Sequence, residues 1–456
     1  MNHKQLYLFS IALLSISPNI TPSNCYTEIT SITGITDAAS PTAAQAGYSV
    51  AISADGNILA EGEDNYSDYR GVVRIFQYTG NAWNQIGSIT GENPNDGSGW
   101  SVALSADGKI LAEGEPFWSG DYQGQVRVFQ YAGNTWSGIG TIAGAGATGQ
   151  AGNSVALSAD GTILAEGENN WSGGQGLVRI FQYTGNTWAQ IGSITGAGAT
   201  GQAGNSVALS ADGTILAEGE NNWSGNQGLV RIFQYTGNAW SGIGTITGAG
   251  ATGEAGYSVA LSADGTILAE GEPLYSGSAG CVRIFQYDGN TWNPITGISG
   301  QNSNDQAGYS VALSADGTIL AEGEAGWNTG TLSSGTWSPE SGRVRIFQSI
   351  DGHWSEIKNI TLNLTMSNFG SSVDINSNGS TLVVGSPNYE NGLVTVYKNI
   401  CLDNPIEPVN IFVGSNVKNI SNPINIAGTC DNSSSTSSPH IYSVLLNGYI
   451  DIKPIS

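Results

Sequence analysis

Short runs of apolar residues, about four to eight long, recur along this chain between clusters of Gly, Asn, Asp and Ser. From Asn153 onward the runs are Ser154-Val155-Ala156-Leu157-Ser158, then Thr162 to Glu168, Leu177 to Tyr183, and Trp188 to Thr195. Asp160-Gly161 supplies a tight turn after the first run, and Gly185-Asn186 another after the third. No stretch sustains a helical period. The pattern predicts four short antiparallel strands, longer than one coil of a β-solenoid and the right size for one blade of a propeller.

The same unit returns about every 52 residues. Its core phrase is G-x-S-V-A-L-S-A-D-G-x-I-L-A-E-G-E, followed by a variable loop, V-R-I-F-Q-Y-x-G-N-x-W, and I-G-x-I-x-G. Copies begin at Gly47, Gly99, Gly152, Gly204, Gly256 and Gly308, with a diverged seventh at Gly370. Asn153 to Trp188 and Asn205 to Trp240 differ only at Gly174/Asn226 and Thr187/Ala239. The chain is therefore read as all-β, a seven-bladed propeller. Ser31-Ile32-Thr33-Gly34 matches Ser88-Ile89-Thr90-Gly91, and the seventh copy has three strands and no fourth. Residues 26–34 are expected to complete that blade, so that neither sheet edge stays open. The expected organisation is a signal segment over about 1–23, the propeller over 24–401, and a C-terminal tail or small attachment unit over 402–456.

Composition fits a ring of this kind. Glycine is 65 of 456 residues and only 11% are charged, as blades that bury both faces against neighbours require small, uncharged positions. The start adds a compartment: His3 and Lys4 precede an apolar stretch from Leu6 to Ile16, too short to span a bilayer and typical of a secretory signal. Secretion or surface display is the expectation, with no integral membrane segment. Sequons at Asn65, Asn170 and Asn222 fall in corresponding loops, and Asn359, Asn363, Asn378, Asn419 and Asn432 add more; an Asn- and Ser-rich chain also makes such triplets by chance.

Phe369-Gly370 followed by Val383-Val384-Gly385-Ser386-Pro387 resembles the FG-GAP repeat of integrin α-chain propellers, in its secreted form with Gly-x-Trp at the third turn. The likeness covers residues 26–400. It implies the propeller fold and an adhesion or binding role. The family's Phe-Gly is Ala-Gly or Ser-Gly in blades one to six, and its Gly-Ala-Pro is Gly-Glu, so no particular partner carries over. Blades of this family can bind calcium in the first hairpin. Six blades here keep one carboxylate (Asp55, Asp107, Asp160, Asp212, Asp264 and Asp316), which suits capping the turn. Blade seven carries Asp374-x-Asn376-x-Asn378-Gly379, a calcium candidate that lacks the later acidic ligand; no other cofactor is expected.

Net charge is −23, with 37 acidic and 14 basic residues, which argues against nucleic acid and anionic membrane surfaces. Twelve of the acids are pairs at spacing two: Glu61/Glu63, Glu113/Glu115, Glu166/Glu168, Glu218/Glu220, Glu270/Glu272 and Glu322/Glu324. Two readings follow, a ring of cation sites or ion pairing inside each blade. Each of the six blades has an arginine at the corresponding place in its third strand: Arg74, Arg127, Arg179, Arg231, Arg283 and Arg345. A register placing Glu63 opposite Val72 sets Glu61 opposite Arg74, and likewise along the chain. Val384, Ser386 and Thr395 replace both acids and the base together in blade seven, as expected of partners.

Catalytic signals are sparse. The three histidines are His3, His353 and His440, no metal-ligand cluster or nucleophile motif occurs, and the carboxylates repeat as scaffold positions do. Aromatics recur after the second strand: Tyr66, Trp118, Trp171, Trp223, Tyr275 and Trp327, with Tyr69 and Tyr122 beside them. They form a ring on one face, suited to stacking on a glycan or a protein, or each lids its own blade. The expectation is a non-catalytic, multivalent extracellular binding or adhesion module; the alternatives are an inert surface scaffold and a carbohydrate-active propeller enzyme. At the ring seam Cys401 aligns with Gly80 and Cys25 with Ala82, which predicts a Cys25–Cys401 disulfide; Cys401–Cys430 is the competing pairing, and Cys281 has no assigned partner.

Overall fold

The computed structural model describes residues 26–35, 44–328, 341–362, 364 and 366–399. Within them the chain forms seven four-stranded antiparallel sheets, six of which run in sequence order. In blade three the strands are Ser154–Leu157, Ile163–Glu168, Leu177–Tyr183 and Trp188–Thr195. The first strand stops one residue short of the expected Ser158 because that residue turns its side chain to the hairpin. Its Oγ accepts the Ile163 N–H at 2.9 Å and donates to Asp160 at 2.6 Å. The seventh sheet is Ser372–Ile375, Thr381–Ser386 and Leu393–Asn399, completed by the N-terminal strand Tyr26–Thr33. Tyr26 pairs with Asn399 and Thr33 with Leu393, so the closure expected from the Ser-Ile-Thr-Gly match is the one observed. The signal segment, Cys25, Cys401, Cys430 and the tail lie outside the described residues.

The core is not inside the blades but between them. Among the described residues there are seven buried apolar clusters, one at each blade-to-blade interface. Ile163, Ala165, Val178 and Ile180 of blade three face Leu216 of blade four, while Leu164 and Phe181 face the opposite way, into Ala112 and Val126 of blade two. Both faces of every strand are thus covered, which explains why the inner strands read as apolar runs rather than as alternation.

The invariant letters of the repeat describe how close neighbouring blades come. The Gly of each Glu-Gly-Glu sits against the next blade's backbone: a Cβ on Gly167 would lie 2.0 Å from the Gly204 carbonyl oxygen, and one on Gly219 would lie 1.9 Å from that of Gly256. The serine of G-x-S makes the same approach polar. Ser154 Oγ donates to the Gly204 carbonyl at 2.8 Å, Ser206 to Gly256 at 2.8 Å, and Ser372 to Gly47 at 2.7 Å across the seam. At the outer edge the Trp of G-N-x-W leans on the Gly of the preceding blade's fourth strand, so that a Cβ on Gly192 would meet Trp240 Cδ1 at 2.4 Å. A belt of backbone hydrogen bonds runs through the first hairpins: Ala54 donates to Ala106, Ala106 to Ala159, and so on to Ser377, which returns to Ala54 at 3.2 Å.

These contacts rank the glycines. Gly219→Ala is expected to cost more than Gly192→Ala, because the first clash is with backbone and the second with an indole that can shift; overpacking of this kind costs about 1–3 kcal/mol. Gly120→Ala, with nothing within 4 Å of its would-be Cβ, serves as the neutral control. Midpoints of chemical denaturation for the three variants check the order.

Candidate functional site

The repeated charges come first because they are buried. All twelve glutamates of the pairs have side chains with no solvent exposure. The register is the expected one: Glu61 lies opposite Arg74, Glu113 opposite Arg127, Glu166 opposite Arg179, Glu218 opposite Arg231, Glu270 opposite Arg283 and Glu322 opposite Arg345. The pairing reaches further than expected, since both acids of a blade meet the same guanidinium. Arg179 Nε lies 2.6 Å from Glu166 Oε1 and 2.7 Å from Glu168 Oε1. Arg179 also donates through Nη2 to the Ala143 carbonyl at the end of blade two, and its Cζ stands 5.2 Å from the centre of the Phe181 ring. Each arginine therefore rivets its blade to the one before, and at the seam Arg74 does so through the Thr33 carbonyl of the N-terminal strand.

Two carboxylates on one guanidinium leave one negative charge over in the first five blades, while in blade six Arg343 also meets Glu324. An Nε carries a single hydrogen, which Arg179 gives to Glu166, so the second carboxyl close by has none from that atom. Burial, reinforced by the neighbouring carboxylate and opposed by the arginine, pushes carboxyls in every pair up: to about 8 at Glu63, Glu166, Glu270 and Glu324, about 9 at Glu115 and about 7 at Glu218, with Glu61, Glu168 and Glu220 raised by burial as well. The buried pairs therefore keep protons to higher pH than free carboxyls do. The second glutamate is further satisfied from the preceding linker: Ile35 N–H donates to Glu63 at 3.1 Å and Ala145 N–H to Glu168 at 2.9 Å.

Blade seven fills the same place without charge. Val384 replaces the first glutamate and lies in one apolar cluster with fully buried Phe369, which stands where the other blades have Ala or Ser. The Phe-Gly of this blade and the acid–base triads of the others are two fillings of one volume.

The remaining candidates divide by radius. Tyr66, Trp171, Trp223 and Tyr275 each open a four-residue turn whose central residues lie in the left-handed region, with φ of 50° to 75° at Ser67, Asp68, Ser172, Gly173, Ser224, Gly225, Ser276 and Gly277. With Trp118 and Trp327 they are half-buried. Trp223 and Tyr275 pack over the linkers entering their own blades, at Gly198 and Gly250, and Trp327 lies 5.2 Å from the Arg343 guanidinium. The sequons are on the same face; Asn170 donates its amide to the Thr148 carbonyl and Asn222 to Gln202, while Asn65 is part-buried in its loop. Asp374, Asn376 and Asn378 turn to the seam and the hairpin. Asp374 accepts the Ile52 N–H of blade one at 2.7 Å, Asn376 accepts Thr381 N–H and Asn378 accepts Ser380 N–H. Among the described residues no cluster of three or more His, Cys, Asp or Glu side chains is suited to a metal. The single Asp of each of the other hairpins caps its turn: burial alone would raise Asp160, but hydrogen bonds from Ser158 and Thr162 outweigh it and hold the group below its usual range. Cys281 is buried as a free thiol, pushed up to about 11 by its burial and by Glu270 and Glu272.

A site the repeat pattern conceals lies on the axis. The first strands of neighbouring blades touch one another and so form the inner ring. The residue just before each of them, the x of G-x-S, is Tyr48, Trp100, Asn153, Asn205, Tyr257, Tyr309 or Ser371, and all seven line one cavity of about 370 Å³. Gln45, Asn368, Pro387 and Asn388 complete its wall. In an antiparallel meander this end of strand one shares a face with the loops after strand two, so the cavity opens among the aromatic loops, though none of their six aromatics lines it. Tyr48 and Trp100 have ring centres 4.7 Å apart, and Tyr257 and Tyr309 have theirs 4.9 Å apart. Between the pairs, Asn153 and Asn205 donate Nδ2 to the carbonyls of Asn205 and Tyr257. On the other side Gln45 donates to Asn388 and Asn388 to Asn368, beside Ser371, whose buried Oγ finds no partner. The signal for this site was the x of G-x-S, which changes chemical class from blade to blade within a largely uniform phrase.

The seven-bladed architecture agrees with what the FG-GAP resemblance implied. No family model matches the chain, and no curated protein matches it.

Two outcomes follow from the triads. Replacing Arg179 by Met strands two buried carboxyls and is expected to cost about 3–5 kcal/mol. The blade-seven filling, Ala151→Phe with Glu166→Val, Glu168→Ser and Arg179→Thr, is expected to cost less; denaturation midpoints that put the fourfold variant below Arg179→Met would contradict the equivalence of the two fillings. The raised carboxyls also set a pH dependence. The folded state keeps protons that the unfolded chain releases near pH 4.5, so their stabilisation is full below that pH and is lost as pH rises through about 7 to 9. The slope is about 1.4 kcal/mol per pH unit for each proton retained. Melting temperature is expected to fall from pH 5 to pH 9, and a rise over that range would mean the pairs are fully ionised.

Proposed function

We propose that this protein is a non-catalytic, extracellular binding module that takes a glycan or protein ligand at the axial mouth of its propeller. The observation carrying this reading is where the blades differ. Six near-copies hold their strands, glutamates, arginines and glycines constant, yet the seven residues around the axis include four aromatics, two amides and one hydroxyl. A scaffold position repeats; a recognition position breaks the symmetry. The volume lies within the range of small-ligand sites, and its walls combine aromatic faces with a few placed polar groups. The buried carboxylates, each held by an arginine within its own blade, serve assembly in this reading, so no acid pair is left for glycoside hydrolysis.

The second reading is the multivalent one, in which the half-exposed loop aromatics bind weakly and add through avidity. It is favoured by their repetition and weakened by the packing of Trp223, Tyr275 and Trp327 onto their own blades. A mixed glycan and protein array separates the two. Trp100→Ala with Tyr309→Ala is expected to abolish binding by the full chain, whereas Trp171→Ala with Trp223→Ala leaves it. The reverse outcome moves the site to the loops, binding lost in neither variant moves it elsewhere on the propeller, and an array on which the parent chain binds nothing leaves the propeller as scaffold.

A further inference from the structure

The axial cavity has an internal order that says what would fit it. Taken around the ring, Tyr257 and Tyr309 occupy blades five and six, Ser371 blade seven, Tyr48 and Trp100 blades one and two, and Asn153 and Asn205 blades three and four. Two aromatic pairs therefore flank the cavity on opposite sides, with polar ends between them: Ser371 and Asn388 at one, Asn153 and Asn205 at the other. The cavity is a slot bounded by two aromatic pairs, with amides and a hydroxyl between them, and the aromatic sides bring phenols inward, since Tyr48 interacts with both Tyr309 and Tyr257.

Each part of that slot narrows the ligand. Paired aromatic faces favour a ring with two apolar surfaces. Polar ends favour one whose edge carries donors and acceptors. Asn153 and Asn205 spend Nδ2 on backbone carbonyls, which leaves Oδ1 as the acceptor on each. Ser371 adds a buried hydroxyl without a partner, which a bound donor or acceptor would satisfy. Charge narrows it further. No Lys, Arg, Asp or Glu lines the cavity. Two acids bear on its lining, Asp64 on Tyr48 and Glu254 on Tyr257; burial first, and these acids after it, raise the two phenols, and burial pushes Asp64 itself up to about 7. An anion would find no counter-ion there and would enter against the negative charge of the whole chain. A planar aromatic side chain would stack on the walls but would leave the amides and hydroxyl at the ends unpaired.

We infer that the axial slot binds a neutral hexopyranose, its C–H faces against Tyr48/Trp100 and Tyr257/Tyr309 and its hydroxyls on Asn153, Asn205 and Ser371. This rests on the axial cavity being the binding site proposed above. The sugar is held by stacking and neutral hydrogen bonds alone, so a single site is weak.

Saturation-transfer NMR and titration of the full chain test this with methyl glycosides of neutral hexoses and N-acetylhexosamines, alongside glucuronic acid, tetramethylammonium and N-acetyltyrosine amide. The expected result is binding of at least one neutral glycoside, weakened about tenfold or more by Trp100→Ala or Tyr309→Ala, a loss equal to about 1.4 kcal/mol. Trp100→Phe should retain most of it, and Trp171→Ala all of it. Because an axial variant could misfold, each is first matched to the parent in melting temperature, and Trp100→Phe against Trp100→Ala keeps the comparison at one position. Preference for the uronic acid, the ammonium ion or the tyrosine amide, lost in the same axial variants, overturns the sugar and leaves the axial site standing. Neutral glycosides that do not bind at millimolar concentration overturn the sugar as well. Glycoside binding that survives the axial variants and disappears with Trp171→Ala and Trp223→Ala overturns both.

Discussion

The fold depends on how closely one blade's backbone can approach the next near the axis. At Gly167 and Gly204, and at the equivalent pairs around the ring, there is no room for a side chain, and the adjoining serine hydroxyl bonds directly to the neighbour's carbonyl. That approach sets the inner radius and with it the number of blades. It also survives where the rest of the repeat has drifted. Blade seven has lost its glutamates, its arginine and much of its apolar lettering, yet Gly385 meets the Gly47 carbonyl and Ser372 donates to it as in every other interface. The ring closes because the seam obeys the same steric rule, and the hydrogen-bonded belt of first hairpins, Ser377 to Ala54 included, repeats the rule in backbone alone.

The buried triads are a second layer built on that geometry. Putting two carboxylates and a guanidinium between blades is costly by desolvation, and burial of ion pairs is weak evidence of net stabilisation. Blade seven shows that Phe369 with Val384 does the same job of filling. What charge adds is direction. Each arginine reaches one specific carbonyl of the preceding blade, Thr33, Thr90, Ala143, Thr195, Thr247 or Ser299, so a blade slipped by one residue would leave it unpaired. In a chain whose blades are nearly interchangeable, that register control guards against mispairing of one copy with another.

Much of this was legible in the residues. Strand order, ring closure by the N-terminal strand and the opposition of Glu61 to Arg74 followed from short apolar runs, turn chemistry, the repeated Ser-Ile-Thr-Gly and the joint loss of three residues in blade seven. The second acid of each pair was harder, because strand register names the residue opposite and not the one two places along that bends to the same guanidinium. The inner glycines were visible but not interpretable: sequence shows that a position is Gly without showing whether its turn or its neighbour demands it. The axial site was missed for a different reason. Comparing repeats draws attention to the letters they share, and the x of G-x-S looks like noise until the fold places its seven residues, Tyr48 through Ser371, around one axis.

That contrast has a physical basis. A blade residue is answerable to two neighbours, so a change in it must be matched on both sides, and six near-identical copies are the stable outcome. The loop aromatics inherit this uniformity because they pack on their own blade's linker. Residues at the start of the innermost strand also meet their neighbours, as Tyr48 meets Trp100 and Asn153 the Asn205 carbonyl, but they face the axial space as well, so a change in them alters the cavity. An axis is also the one place where seven equivalent positions face a common volume, and there a change in any single blade alters the whole site. A propeller of repeated blades thus has one region where asymmetry changes recognition most, and in this chain the aromatic and amide residues are divided between opposite sides of that region.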